Sequence, residues 1–300
     1  MVSGLSKPPI PSRRMLMIED TEKMNTSSEA RKVIKKVTFR IERYIAEEGK
    51  VFWKEYVVPV MKGMTVLDGL NYIKAELDSS LSWRASCRMA VCGSCAMFID
   101  RFPRLACHTQ ILDLKKDVLE ITPLPNFDNL RDLIPDLVVM FEKHRDLKPY
   151  ISRTNDPQEV ENPTGEFVQS ENELLDFLQF TYCIKCGICL SACPTVATDS
   201  RYLGPQALTQ VLRYSVDTRD EGLENRLDEV DTSDGPWKCH FAGACSEACP
   251  KGVDPALGIQ LLKKAIIMGL DRGTPAPAAS GPPSGAKRLD GVPDAPERTV

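Results

Sequence analysis

Residues 36–45 and 51–60 alternate apolar with polar positions, are rich in β-branched and aromatic side chains, and flank the turn-forming pair Glu48-Gly49. A period of two buries one face of a strand, so the two stretches predict a β-hairpin. Thr65 is a candidate helix N-cap with Asp68 three residues on, and Val66, Leu67, Leu70, Ile73 and Leu77 recur at helical spacing. That pattern predicts a helix laid across the hairpin's sheet. Shorter runs at 96–99, 105–112 and 118–121 add strands, which makes an α+β first domain: a mixed sheet with one covering helix. From about Leu130 the period becomes helical, at 133–144, 171–180, 205–215 and 255–270, with Pro and Gly punctuating the connections. The second domain is therefore expected to be mostly helical.

The organisation expected is a flexible extension over 1–34, a sheet domain over 35–130, a helical domain over 131–271 and a Pro/Ala/Gly-rich tail over 272–300, too poor in apolar residues to offset ordering entropy. At 300 residues and 42% hydrophobic composition the chain can build two modest cores. A net charge of -4 gives no footprint for nucleic acid. No apolar run reaches the length needed to cross a bilayer. The polar start lacks a secretory signal core, and Glu19, Asp20 and Glu22 fit a mitochondrial transit peptide poorly. The chain is therefore expected to stay in the cytoplasm, a mitochondrial location less so.

The eleven cysteines carry the chemistry. In an unexported protein thiols stay reduced, which favours metal binding over disulfides. Cys87, Cys92 and Cys95, followed by Cys107, have the plant-type ferredoxin spacing of a 2Fe-2S site; the alternative is zinc, whose sites tend to pair short Cys hairpins. Cys183, Cys186, Cys189 and Cys193-Pro194 form the bacterial ferredoxin run, whose fourth cysteine serves the other cluster of a pair. The partner run is Cys239, Cys245 and Cys249-Pro250, with Ala242 where a second thiol would stand. Exchanging the fourth cysteines assigns Cys183, Cys186, Cys189 and Cys249 to a 4Fe-4S cube and leaves Cys193, Cys239 and Cys245. Three thiolates suit a 3Fe-4S cluster, or a cube with an open fourth iron; Ala242 offers no replacement ligand, so 3Fe-4S is expected. The three sets use every cysteine.

On SWRASCRMAVCGSC (82–95), CIKCGICLSACP (183–194), YLGPQAL (202–208) and WKCHFAGACSEACPKGVDP (237–255), the chain resembles the iron-sulfur subunits of succinate dehydrogenases and fumarate reductases over roughly residues 36–270. The resemblance implies a β-grasp plant-type ferredoxin-like domain followed by an all-α bacterial ferredoxin-like domain. It also implies an FAD-containing flavoprotein partner that interconverts succinate and fumarate, a membrane anchor that binds quinone and often haem b, and a role here of conducting single electrons between them. By motif position Pro194, His240, Phe241, Gln260 and Lys263 would meet the quinone, with a bland surface role the alternative for His240 and Lys263. Many ubiquinone-linked members carry tryptophans shortly after the CP motif, where this chain reads Thr195-Val196-Ala197-Thr198, so its quinone pocket differs; the downstream GPWKCHFAGACSEACPKGVDP is more similar to fumarate reductases and menaquinone-linked bacterial enzymes, which implies menaquinone. Arg84, Arg88 and Arg104 could dock the flavoprotein or stabilise the first cluster, or be ordinary surface arginines; Trp53, Trp83 and Trp237 read as core or interface anchors. Two other readings are an electron-transfer subunit of a thiol-linked, quinone-independent fumarate reductase or heterodisulfide reductase-like complex, and a zinc-stabilised scaffold. The first is disfavoured because no cysteine follows Cys249.

Overall fold

The computed structural model describes residues 32–153, 158 and 161–270. All but the last three residues of the expected N-terminal extension, and the whole of the expected C-terminal tail, lie outside the described residues.

The predicted hairpin forms as β1 (Lys35–Ile45) and β2 (Lys50–Val60), paired antiparallel. β5 (Val118–Thr122) lies parallel to β1, and β3 (Ala96–Ile99) joins β5 antiparallel, so the five-stranded order is β2-β1-β5-β3-β4 with β4 at Phe102–Leu105. Alternation along β1 buries Val37, Phe39 and Ile41 completely. Helix α1 (Val66–Tyr72) begins with the Thr65–Asp68 capping box expected from the sequence and continues into one wider turn, Ile73–Leu77. It sits close on the sheet because Gly69 faces Phe39: a Cβ at 69 would come within 2.5 Å of the ring.

Two expectations fail. The strand placed at 105–112 lies instead at Phe102–Leu105, because Asp100 and Arg101 both take positive φ (52° and 62°) and reverse the chain in two residues. Pro103 is tolerated there because β4 is an edge strand; residues 106–111 form the turn that carries Cys107. The helix placed at 133–144 starts later, as α2 (Val138–Asp146), because Ile134–Pro135 (β7) pairs with Asn129–Arg131 (β6) across the left-handed Asp132. Leu133, Leu137 and Met140 are buried at helical spacing, which misled the reading, but Pro135 interrupts it.

The helical region comprises α2, α3 (Glu171–Thr181), α4 (Ile188–Ser191), α5 (Pro194–Thr198), α6 (Pro205–Ser215), α7 (Leu223–Val230), α8 (Ala244–Glu247) and α9 (Pro255–Met268). Its core gathers Phe180, Tyr202, Leu208, Val211, Leu212, Val230, Ile259 and Leu262. The two regions are not separate beads: Ile188 and Ala248 belong to the core under the sheet, and Asn126 Nδ2 donates to the carbonyls of Leu190 and Ser191, each at 3.0 Å. No described helix is long and apolar enough to cross a membrane.

A buried ionic cluster fixes the segment that leads into the first cysteine loop. Arg43 donates to Asp132 (2.8 Å), Asp78 (2.9 Å), the Tyr56 hydroxyl (2.8 Å) and Ser80 (3.0 Å). Asp132 also accepts from the backbone N–H groups of Tyr44 and Ser82. Burial alone would raise the Asp78 carboxyl, but hydrogen bonds from Lys54, Ser80 and Tyr56 outweigh it and hold the group well below the ordinary carboxylate range. Its contribution to stability is present above about pH 4 and is lost as pH falls further. Asp132→Ala leaves Arg43 short of a buried partner and is expected to cost about 3 kcal/mol, as for other broken buried pairs. A lowered thermal midpoint checks this; an unchanged midpoint would show that Asp78 alone satisfies Arg43.

Candidate cluster sites

The loop carrying Cys87, Cys92 and Cys95 is bent by three left-handed residues, Arg88 (φ 58°), Ala90 (φ 57°) and Gly93 (φ 74°). Two of these are not glycine, so the backbone holds strain that a purely structural loop does not need. The bends aim amides inward. The N–H groups of Met89, Val91 and Cys92 point at Cys87 Sγ (3.4, 3.3 and 3.3 Å), that of Ala90 at Cys107 Sγ (3.3 Å) and that of Cys107 at Cys95 Sγ (3.4 Å). The β3–β4 hairpin closes the set: Ala96 pairs with Leu105, and Ala106 N–H donates to the Cys95 carbonyl. All four predicted residues of the first site are therefore together, with sulfurs inside a nest of donors suited to negative charge.

The two other runs share one backbone pattern. Lys185 and Phe241 both take positive φ (53° and 58°), as do Gly187 and Gly243 (83° and 74°). Each pair leads into a four-residue helix, α4 or α8, that ends at Ala192 or Ala248 and is followed by Cys-Pro. Cys186 in the first copy corresponds to Ala242 in the second, which is exposed. Cys183, Cys186, Cys189 and Cys249 are close enough to act electrostatically on one another; Cys245 is acted on by Cys193 and Cys239 and itself reaches Cys189. Cys193, Cys239 and Cys245 line one small pocket with Pro194, Tyr202, His240 and Phe241.

Burial pushes Cys95, Cys186 and Cys245 up to about 12 and raises Cys189 and Cys249. Cys92 goes the other way, to about 6, because the Cys87 N–H and the Ser94 hydroxyl donate to its sulfur. Most of these thiols thus favour the proton until a positively charged metal replaces it, so loading releases protons. Among the described residues no three His, Cys, Asp or Glu side chains are grouped as ligands of one metal ion; in a cluster each thiolate binds a single iron and the set is spread over several irons. Eleven free thiols, with amides directed at the sulfurs of Cys87, Cys95, Cys107 and, from Phe241 (3.4 Å), Cys239, fit iron-sulfur clusters.

The first two groups touch. Gly93 is buried against Cys186: a Cβ there would stand 2.8 Å from Cys186 Cβ and 3.1 Å from the Ile184 carbonyl oxygen. This contact, and Asn126 as the clasp beside it, is not visible in the sequence; the only local signal is Gly93 itself, a residue without a side chain between two ligand positions.

Of the arginines flanking the first loop, Arg84 and Arg104 are half-buried and their guanidinium pKa values are lowered by burial, while Arg88 is exposed. Arg40 stacks on Trp53, Lys74 lies over Trp83, and Trp237 donates to Asp231 at 2.7 Å. Gln260 Nε2 lies 4.0 Å from Cys239 Sγ, and Lys263 Nζ donates to the Cys239 carbonyl at 3.1 Å, so both of these predicted residues back the third site.

Fold and site together define an iron-sulfur electron-transfer protein. The family described as 2Fe-2S iron-sulfur cluster binding domain matches residues 38–142, and the 4Fe-4S dicluster domain matches 179–253. The chain is 43% identical over 229 residues to a fumarate reductase iron-sulfur subunit of Mycobacterium tuberculosis, covering 76% of this chain and 92% of that one. It is 41% identical to the fumarate reductase iron-sulfur subunit of Escherichia coli O157:H7 (68% and 82% covered) and 37% identical to the succinate dehydrogenase iron-sulfur subunit of Paracoccus denitrificans (68% and 77%). A chain of the Mycobacterium smegmatis Sdh1 complex in the apo form superposes with a TM-score of 0.68 at 25% identity, over 77% of this chain and 95% of that one. The chain belongs to the iron-sulfur subunits of succinate dehydrogenase and fumarate reductase, the electron-transfer component of that enzyme complex.

Gly93→Ala adds a methyl group where Cys186 already sits and at a φ that L residues resist. The expected result is impaired loading of the first two sites with the third retained, read from the electron paramagnetic resonance (EPR) signals of the oxidised and reduced complex. Full occupancy of all three would show that the contact yields without consequence.

Proposed function

We propose that Cys87, Cys92, Cys95 and Cys107 hold a 2Fe-2S cluster, that Cys183, Cys186, Cys189 and Cys249 hold a 4Fe-4S cluster, and that Cys193, Cys239 and Cys245 hold a 3Fe-4S cluster. The domains are 35–130, a β-grasp plant-type ferredoxin-like unit, and 131–271, an all-α ferredoxin-like unit. The single observation that carries the reading is the grouping of thiols into two spatially exchanged sets with Ala242 in the place of the missing ligand. When bound, the clusters supply one-electron chemistry that links a two-electron flavin to a quinone. This chain's residues do the rest. Amides of Met89, Ala90, Val91, Cys92, Cys107 and Phe241 stabilise negative sulfur, Gly93 sets the closeness of the first two sites, and the buried side chains around them exclude water.

Exposure at the two ends supports the choice of partners. Beside the first site Met89 and Val91 are 70% and 55% exposed, a surface suited to the flavoprotein subunit. Beside the third, Phe241 is 60% exposed and His240, Pro194 and Trp237 share the surface, suited to a membrane anchor and its quinone. Pro194, His240 and Phe241 face the quinone; Gln260 and Lys263 support it from behind Cys239. With Thr195-Val196-Ala197-Thr198 after Pro194, menaquinone is the quinone proposed, and the cytoplasmic face of the membrane is the location.

EPR of the extracted complex tests the assignment. The oxidised sample is expected to give a sharp, nearly isotropic signal that disappears on dithionite reduction as 2Fe-2S and 4Fe-4S signals grow. An oxidised sample that is silent despite full iron content contradicts the three-iron site. Ala242→Cys restores the fourth thiolate and is expected to abolish the oxidised signal by completing a cube.

A further inference from the structure

Tyr202 lies between α5 and α6 and is 1% exposed, and its hydroxyl has no hydrogen-bond partner. A buried hydroxyl is seldom left so, which makes it a marker for something the site receives. The ring lines the pocket formed by Cys193, Cys239 and Cys245. Cys239 lines the same pocket as the Tyr202 ring.

The residue is also held in place. Lys143 Nζ donates to the Tyr202 carbonyl at 2.7 Å and to that of Ser200, and Leu203 N–H donates to the Asp234 carbonyl at 2.9 Å. Lys238, the neighbour of Cys239, bridges Asp199 and Asp234 and so ties the segment bearing Tyr202 to the segment bearing Cys239. Other donors at this sulfur are the Phe241 amide at 3.4 Å and the more distant Gln260 side chain at 4.0 Å.

We propose that the Tyr202 hydroxyl donates a hydrogen bond to the sulfur of Cys239 in the loaded protein and thereby sets the reduction potential of the three-thiolate cluster. The inference rests on the three-iron reading above. A neutral donor at a cluster sulfur stabilises the state with one more negative charge, so it favours reduction. Tyr202 is a positioning and tuning residue: it neither ligates iron nor touches substrate.

The test is a potentiometric titration of the purified complex, followed by EPR, for the unmodified protein and Tyr202→Phe. Loss of the hydroxyl is expected to lower the reduced-to-oxidised ratio of the three-iron cluster about tenfold at fixed potential, which is about 59 mV for a one-electron couple. The 2Fe-2S and 4Fe-4S midpoints should not move. An unchanged three-iron midpoint at full signal overturns the proposal. If Tyr202→Phe fails to assemble, 3-fluorotyrosine placed at position 202 keeps ring and hydroxyl while making a stronger donor. It is expected to raise the midpoint, and no shift overturns the proposal equally. Absence of a three-iron signal in the unmodified protein is a different outcome, because it removes the cluster assignment itself.

Discussion

The contact between Gly93 and Cys186 is the constraint on which the arrangement depends. A loop from the sheet domain and a loop from the helical domain meet backbone to side chain, with no room for a single methyl group. Much of what surrounds the contact serves to hold it. Ile188 and Ala248 are buried in the core beneath the sheet, Asn126 clasps the end of α4, and the Arg43–Asp78–Asp132 cluster anchors the segment that leads into the first loop. One-electron transfer between sites needs short separations. Fusing the two domains through a common core provides a fixed one without a mobile linker.

A second theme is the use of unfavourable local states to prepare the sites. Arg88, Ala90, Lys185 and Phe241 accept left-handed backbone although none is glycine. Their reward is a set of amides turned toward sulfur before any iron arrives. Burial raises Cys95, Cys186, Cys189, Cys245 and Cys249 toward the protonated state, so loading at these positions exchanges protons for metal. Cys92, exposed and pushed down to about 6, stands apart as the thiol readiest to become a thiolate.

Much of this was legible in the sequence because it was written in spacing. The hairpin, α1 with its Thr65 cap, and the positions of α3, α6 and α9 followed from period. What was not legible depended on distance across the fold. No local pattern says that Gly93 will meet Cys186, or that Asn126 will reach Leu190. The misplaced strand at 105–112 and the overlong helix at 133–144 arose where turns overrode periodicity: Asp100-Arg101 reversed the chain early, and Pro135 stopped a helix that Leu133 and Met140 advertised. YLGPQAL was noticed as a motif, but Tyr202 as an orphaned hydroxyl beside Cys239 emerged only from burial.

The Gly93–Cys186 contact holds the first two cluster sites in immediate proximity. Microwave power saturation of the reduced 2Fe-2S signal, recorded with the 4Fe-4S site oxidised and then reduced, reports that proximity. Reduction of the second site is expected to make the 2Fe-2S signal markedly harder to saturate and to broaden it, because neighbouring paramagnets relax one another. A 2Fe-2S signal that saturates identically in both states would contradict the close approach.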